Sequence, residues 1–211
     1  MNTYHKKGIG QFLENSISSK KIINELNHYY QIMEEKERRW FKKIIAGIKT
    51  TQHEIKFNQE KGYYSLGKQL ISINDEIGYC FFHEIGHYID FQINSCKISE
   101  TAIKIFIKEF NKKNIDVKTY LMSNRDYSYK DTTGLIFDSI CIYYAINPLR
   151  YNFRGHDPNH YFNCEEKGAG MELFAEFFAV KFMHKKEMSF FKKEFPKTFY
   201  YLNSEINKLI K

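Results

Sequence analysis

Residues 83 to 87 read His-Glu-Ile-Gly-His, the pattern H-E-x-x-H, and no other stretch of the chain constrains its fold as strongly. On a helix, residues four apart lie on one face, a turn apart. Two imidazoles so placed can hold one zinc ion, and the Glu beside the first can act as general base. Wound at about 100° per residue, the stretch from Ile77 to Ile93 sorts into two faces. Cys80, His83, His87 and Asp90 share one narrow arc, and Phe82, Ile85, Ile89 and Ile93 lie opposite. Such a helix must bury its apolar face and also find partners for its polar stripe, because a buried polar group left unpaired costs roughly 2–7 kcal/mol. The plainer alternative is a helix whose histidines are ordinary surface or core polar residues.

Composition limits the setting. The chain has 211 residues, is 43% hydrophobic and 17% aromatic, and contains three prolines, which suits one globular domain with a substantial core, or one domain with an appendage. No segment reads as a linker or repeat, and no apolar run approaches the roughly 18–20 residues of a membrane span. Met1 to Lys7 lacks the apolar core of a secretory signal. The expectation is a soluble protein made in the cytoplasm; delivery to a host or a phage particle would need another carrier. The four cysteines, 80, 96, 141 and 164, form no C-x-x-C pair and read as reduced, buried thiols, with Cys80 an apolar filler. The net charge of +7 is spread along the chain and interleaved with acids, so it reads as solvated surface and not as a nucleic-acid face.

Taken in order, residues from about 11 to 48 have helical spacing, with Ser18 or Ser19 as N-cap, Gly47 as stop, and no chemistry of their own. They form an N-terminal helical segment, 1–50, ahead of a domain over 51–211. From His53 to Asn74 the period changes to strand: Ile55 and Phe57, then Tyr63, Tyr64 and Leu66, then Leu70, Ile71 and Ile73, a small antiparallel meander. It ends at Asn74-Asp75, a cap for the H-E-x-x-H helix. An edge strand there could hold an extended peptide by strand addition. Ser99-Glu100 opens another amphipathic helix carrying Ile103, Phe106, Ile107 and Phe110. A further helix is expected over 134–145, with Asp138 in it, and a long loop over 147–170 containing His156, His160 and Tyr161. Gly168-Ala169-Gly170 then opens a helix on which Glu172 and Glu176 share a side with Ala175 and Ala179. The alanines permit close approach to another helix. Two carboxylates on such a face need a positive partner, which the two histidines and a metal would provide, completing a two-His-one-Glu site with an open position. A solvated or salt-bridged face is the alternative. Pro196 opens a last amphipathic helix through Ile210.

The octapeptide H-E-I-G-H-Y-I-D (83–90), with M-E-L-F-A-E-F-F (171–178) and P-K-T-F (196–199), resembles the catalytic domain of the anthrax lethal factor group of zinc metallopeptidases. The loop G-H-D-P-N-H-Y-F (155–162) looks more like related domains of phage minor head proteins. The resemblance covers roughly 70–110 and 155–211. It implies an α+β, mostly helical zincin-like domain with a small antiparallel sheet beside the H-E-x-x-H helix. It implies His83, His87 and Glu172 as ligands of Zn2+, Glu84 as general base, and Asp90 and Glu176 as outer carboxylates orienting the histidines. The group also places an oxyanion-stabilising tyrosine seven residues before the ligand glutamate. Here Glu165 stands there, and Tyr161 is the nearest substitute, with His156 and His160 as rivals. The expected activity is hydrolysis of a protein or peptide substrate. A zinc-bound, non-catalytic binding or structural domain of a phage or mobile element is the alternative.

Overall fold

The computed structural model describes residues 20–57, 59–74, 77–113, 166–183 and 185–210. The expected caps Ser18 and Ser19, the helix over 134–145 with Asp138, and the loop residues His156, His160 and Tyr161 lie outside them. In chain order the described elements are α1 (Lys20–Ile32), α2 (Glu35–Thr50), β1 (Glu54–Lys56), β2 (Tyr63–Ser65), β3 (Leu70–Ser72), α3 (Ile77–Tyr88), a π-helical turn (Ile89–Ile93), α4 (Lys97–Lys112), α5 (Glu166–Met183), α6 (Lys185–Glu194) and α7 (Pro196–Ile210). The arrangement is α+β: mostly helical, with one small sheet. No described helix is long and apolar enough to cross a membrane.

The helical spacing expected from 11 to 48 is realised, over the described residues, as two helices. The chain breaks at Met33-Glu34, where the Glu34 amide donates to Glu37 at 2.8 Å and opens α2. Gly47 does not end α2. The helix runs on to Thr50, and the Thr51 hydroxyl then bonds the Gly47 and Ile48 carbonyls before Gln52 turns to a positive φ of 59°. Leu26 and Tyr30 of α1 and Trp40, Phe41 and Ile44 of α2 are buried in the same core cluster as α3, α5 and α7.

The sheet is mixed, not the antiparallel meander the spacing suggested. Its order is β1-β3-β2, with β1 parallel and β2 antiparallel to β3. The most apolar of the three runs takes the middle, where both edges are paired. Ile71, fully buried, sits between Ile55 and Tyr64. The polar-flanked strands are left at the edges, where exposed backbone groups meet water. The link after β1 is held across the end of β3 by Gln59 N–H to Ile73 O at 3.0 Å.

Helix α3 is the centre of the molecule, buried on both faces. Its apolar side carries Phe82 and Ile85 into a cluster of rings that includes Phe41 and Phe182. Its first turn is held from α1, since the Gly78 amide donates to the Glu25 carboxylate at 3.0 Å. Asp75, half of the expected cap, lies outside the described residues. Ile93, expected on the apolar face, is 48% exposed. The π-helical turn explains this. Its wider i→i+5 bonding breaks the 100° register after Tyr88, so the wheel drawn through Ile93 no longer holds.

Helix α5 is apolar nearly all round and buried nearly all round, as such helices must be. It begins at Glu166, so the last five residues of the expected loop are helical. It packs mainly against α3 and α4. A Cβ on Gly170 would stand 2.8 Å from the Ser99 carbonyl of α4, so only glycine allows that approach.

Helix α7 spans Pro196 to Ile210 as expected, but its N-terminus is served from a distance. Glu109 of α4 accepts the Lys197 and Thr198 amides at 2.7 Å each, and the Thr198 hydroxyl at 2.6 Å. A carboxylate there also meets the positive end of the helix dipole. Glu109→Ala is therefore expected to cost about 2–3 kcal/mol, because it leaves three donors near the core without their acceptor. Urea unfolding should show a lower midpoint at unchanged slope; an unmoved midpoint would mean the cap contributes nothing.

Candidate metal centre

Helices α3 and α5 bring His83, His87 and Glu172 together. The His83 and His87 Nε2 atoms are 3.0 Å apart. The Glu172 carboxylate lies 3.4 Å from the first and 3.5 Å from the second. All three side chains are buried. Ligand atoms at roughly 2.0–2.1 Å from a tetrahedral zinc ion lie about 3.3 Å from one another. The 3.4 Å distance is to Glu172 Oε2 and the 3.5 Å distance to Oε1, so each carboxylate oxygen stands near that spacing from one imidazole, and the donor set of two imidazoles and one carboxylate suits zinc. These residues fit the ion that the sequence led us to expect.

The expected outer carboxylates fall close by. Glu176 is one turn beyond Glu172, and its Oε1 is 3.4 Å from His83 Nδ1, on the side of the ring away from Glu172. Asp90, in the π-helical turn, is fully buried and accepts a hydrogen bond from Asn94 at 3.2 Å. Burial pushes its carboxyl up, and hydrogen bonds from Ser99 and Asn94, with the nearby His87, pull the other way. Glu84 is 2% exposed. Glu84, Glu172 and Glu176 thus bring three buried carboxyl groups to the helix faces that carry the two imidazoles, and His83, His87 and Glu172 among them could hold a metal ion.

The helices meet this closely because the residues between the site positions are small. A Cβ on Gly86 would lie 2.9 Å from the Ala175 Cα and 3.3 Å from its Cβ. The alanine face expected to approach another helix does so, against the glycine inside H-E-x-x-H. On the far side, Gly62 at the entry to β2 leaves room for Glu84. A Cβ there would stand 3.3 Å from Glu84 Oε1 and 2.2 Å from Cys80 Sγ. Cys80 turns its thiol toward the Ser72 carbonyl at 3.9 Å and belongs to no described ligand group. Cys80 and Cys96 form no disulfide.

Sequence reasoning missed Tyr79. Its hydroxyl is 3.1 Å from His83 Nδ1, and its ring lies against the imidazole at 5.5 Å between centroids. Burial pushes this phenol well above its usual range, and Glu176, Glu172 and Glu84 add to the shift. The signal was available: Tyr79 is one turn before His83 on the same face. Gly62 and Glu25 had no such local signal, since their roles depend on how the sheet and α1 pack.

Tyr161 and His156, expected as oxyanion donors, lie outside the described residues. Tyr79 does not take that role from them, because its hydroxyl faces Nδ1 while the Nε2 edge of the ring faces His87 and Glu172. Compared with protein-family models, curated proteins and solved structures, the chain matches none.

Proposed function

We propose that this chain is a zinc-dependent endopeptidase of a zincin type resembling the lethal factor group. The observation that carries the reading is the convergence of His83 Nε2, His87 Nε2 and the Glu172 carboxylate at zinc spacing, with Glu84 buried beside them. A zinc ion held there supplies Lewis acidity, polarising the scissile carbonyl and lowering the pKa of water to about 7 in well-tuned sites. Glu84 takes the proton of the attacking water and delivers it to the leaving amine. Gly62 packs close to that carboxylate, where a Cβ would stand 3.3 Å from Glu84 Oε1 and would collide with Cys80 Sγ. Strand β2 is a sheet edge and follows Gly62, so an extended substrate peptide pairs along it and passes the site. Tyr161 or His156 stabilises the oxyanion, a contribution typically of about 3–4 kcal/mol.

The test is zinc content. Elemental analysis of purified wild type should give one zinc per chain, and Glu172→Ala should weaken retention against a chelator by orders of magnitude. Wild type that takes up no zinc even after reconstitution removes this reading.

One observation favours a second reading, a zinc-bound domain that does not cleave: His83, His87 and Glu172 are 3%, 7% and 7% exposed, as in closed structural sites. A peptide-library screen separates the two, because only the first reading yields a cleaved bond.

A further inference from the structure

Strand β2 is set against the H-E-x-x-H helix at two points. At its entry, a Cβ on Gly62 would stand 3.3 Å from Glu84 Oε1, so the backbone there lies directly on α3. Two residues on, the Tyr64 ring packs against Tyr88, the last residue of α3, and against Phe91, with centroids 6.2 and 5.7 Å away. The strand therefore follows α3 past Glu84. Packing alone does not hold it on that course. Strand β2 is three residues long, lies at an edge of the described sheet, and has no buried residue.

The Tyr64 hydroxyl supplies what packing does not. Nε2 of His53, a buried residue between α2 and β1, lies 3.2 Å from it, and the side-chain amide of Gln92 in the π-helical turn donates to it at 3.2 Å. The imidazole stacks on the Tyr64 ring, 5.7 Å between centroids and 14° between planes, and meets Tyr88 edge-on at 5.2 Å. The direction of the bonds follows from Thr51. Its hydroxyl donates to the Gly47 and Ile48 carbonyls, which can only accept, so its oxygen takes the 2.9 Å bond from His53 Nδ1–H. In the neutral ring Nε2 is then the acceptor, and burial favours that neutral form. The Tyr64 proton goes to Nε2, and the tyrosine oxygen accepts from Gln92. The β2–β3 hairpin is tied to the same place again, since the Gln69 side-chain amide donates to the Thr51 carbonyl at 3.1 Å.

We infer that His53 and Tyr64 are positioning residues for the substrate: their hydrogen bond holds the outer edge of β2 in line along the H-E-x-x-H helix before a peptide arrives. The inference rests on the endopeptidase reading above and extends it, because it says what sets the peptide's place against Glu84 and the metal ligands. Neither residue belongs to the ligand group. An edge already ordered spares a peptide the cost of ordering it on binding. Losing that order raises KM and leaves kcat in place, since the groups that do the chemistry are untouched.

Three measurements on the full chain test it. The first is peptide kinetics of Tyr64→Phe, which keeps the ring contacts and removes the hydroxyl. On a peptide selected by library screening, KM should rise roughly 3–10-fold, as for one hydrogen bond lost, with kcat within about twofold of wild type. An unchanged KM, or a fall in kcat alone, would overturn the positioning role. The second is His53→Phe, which keeps a ring against Tyr64 and Tyr88 and removes both nitrogens. It should raise KM over the same range, and the double variant should add less than about twofold to either single one, because the two residues act through one bond. Single effects that multiply would overturn the coupling. The third is hydrogen exchange of the β2 amides in the metal-free protein, expected to be faster in Tyr64→Phe; exchange equal to wild type would show that the bond does not hold the strand. If the wild type cleaves no peptide in the library, the endopeptidase reading fails and the substrate role falls with it, while the exchange measurement still decides whether the bond holds β2.

Discussion

Glu84→Gln should leave zinc bound one to one and reduce peptide cleavage by roughly 10²–10⁴-fold, the usual range for losing a general base. That corresponds to about 3–5 kcal/mol of transition-state stabilisation. The substitution is close to isosteric, so this buried side chain keeps its shape beside Gly62 and the helix does not have to repack. What changes is the chemistry: an amide cannot accept the water's proton at neutral pH. The three ligands do not include Glu84, so the metal should stay. The measurement pairs zinc stoichiometry with kcat on a peptide selected by library screening. Full zinc with wild-type cleavage would refute the general-base assignment. Lost zinc would show that Glu84 holds the site together, and not that it moves a proton.

Much of this arrangement was written locally in the chain. Five residues, His83 to His87, place two imidazoles on one face, and M-E-L-F-A-E-F-F puts two carboxylates on the side carrying the small residues. Helical periodicity survives where one face is polar, so α4 and α7 could be read from spacing alone, whereas α5, apolar nearly all round, offers little periodicity. What could not be read depends on contacts between distant segments. The strand order β1-β3-β2 follows from which run can be buried on both edges, while a sequence pass assumes that neighbours in the chain are neighbours in the sheet. Glu109 caps α7 across 88 positions and Glu25 holds α3 across 53, and neither has a local signature. The π-helical turn at Ile89–Ile93 shifts the register just after the site, where an ideal wheel misplaces Ile93 yet still places Asp90 inside. Tyr79 is different in kind: it stands four residues before His83, so its place on the same helix face was legible in the spacing.

Gly86 shows how tightly the site depends on packing, and its replacement should disturb the ligand geometry more than the stability of the fold. In an isolated helix Gly86→Ala would gain about 0.5–1 kcal/mol from propensity. Here the new Cβ would stand 2.9 Å from the Ala175 Cα, and backbone cannot rotate away as a side chain can. Overpacking of this kind costs typically 1–3 kcal/mol, so the clash outweighs the propensity gain. The way out is for α5 to move back from α3, and Glu172 and Glu176 move with it, since Ala175 sits between them on the same helix. The 3.4 and 3.5 Å separations between the Glu172 oxygens and the two imidazoles then lengthen while the 3.0 Å separation, internal to α3, does not. Gly86→Ala should therefore weaken zinc affinity at least tenfold while lowering stability by only about 1–2 kcal/mol. Gly86→Val, which adds bulk against Ala175 and Phe178, should lose both. Gly67→Ala is the control, because a Cβ there meets nothing within 4 Å. Thermal melts of the metal-free proteins and chelator competition give both quantities. If Gly86→Ala matches the control in both, the two helices are not in backbone contact and the ligand triangle is not set by their approach.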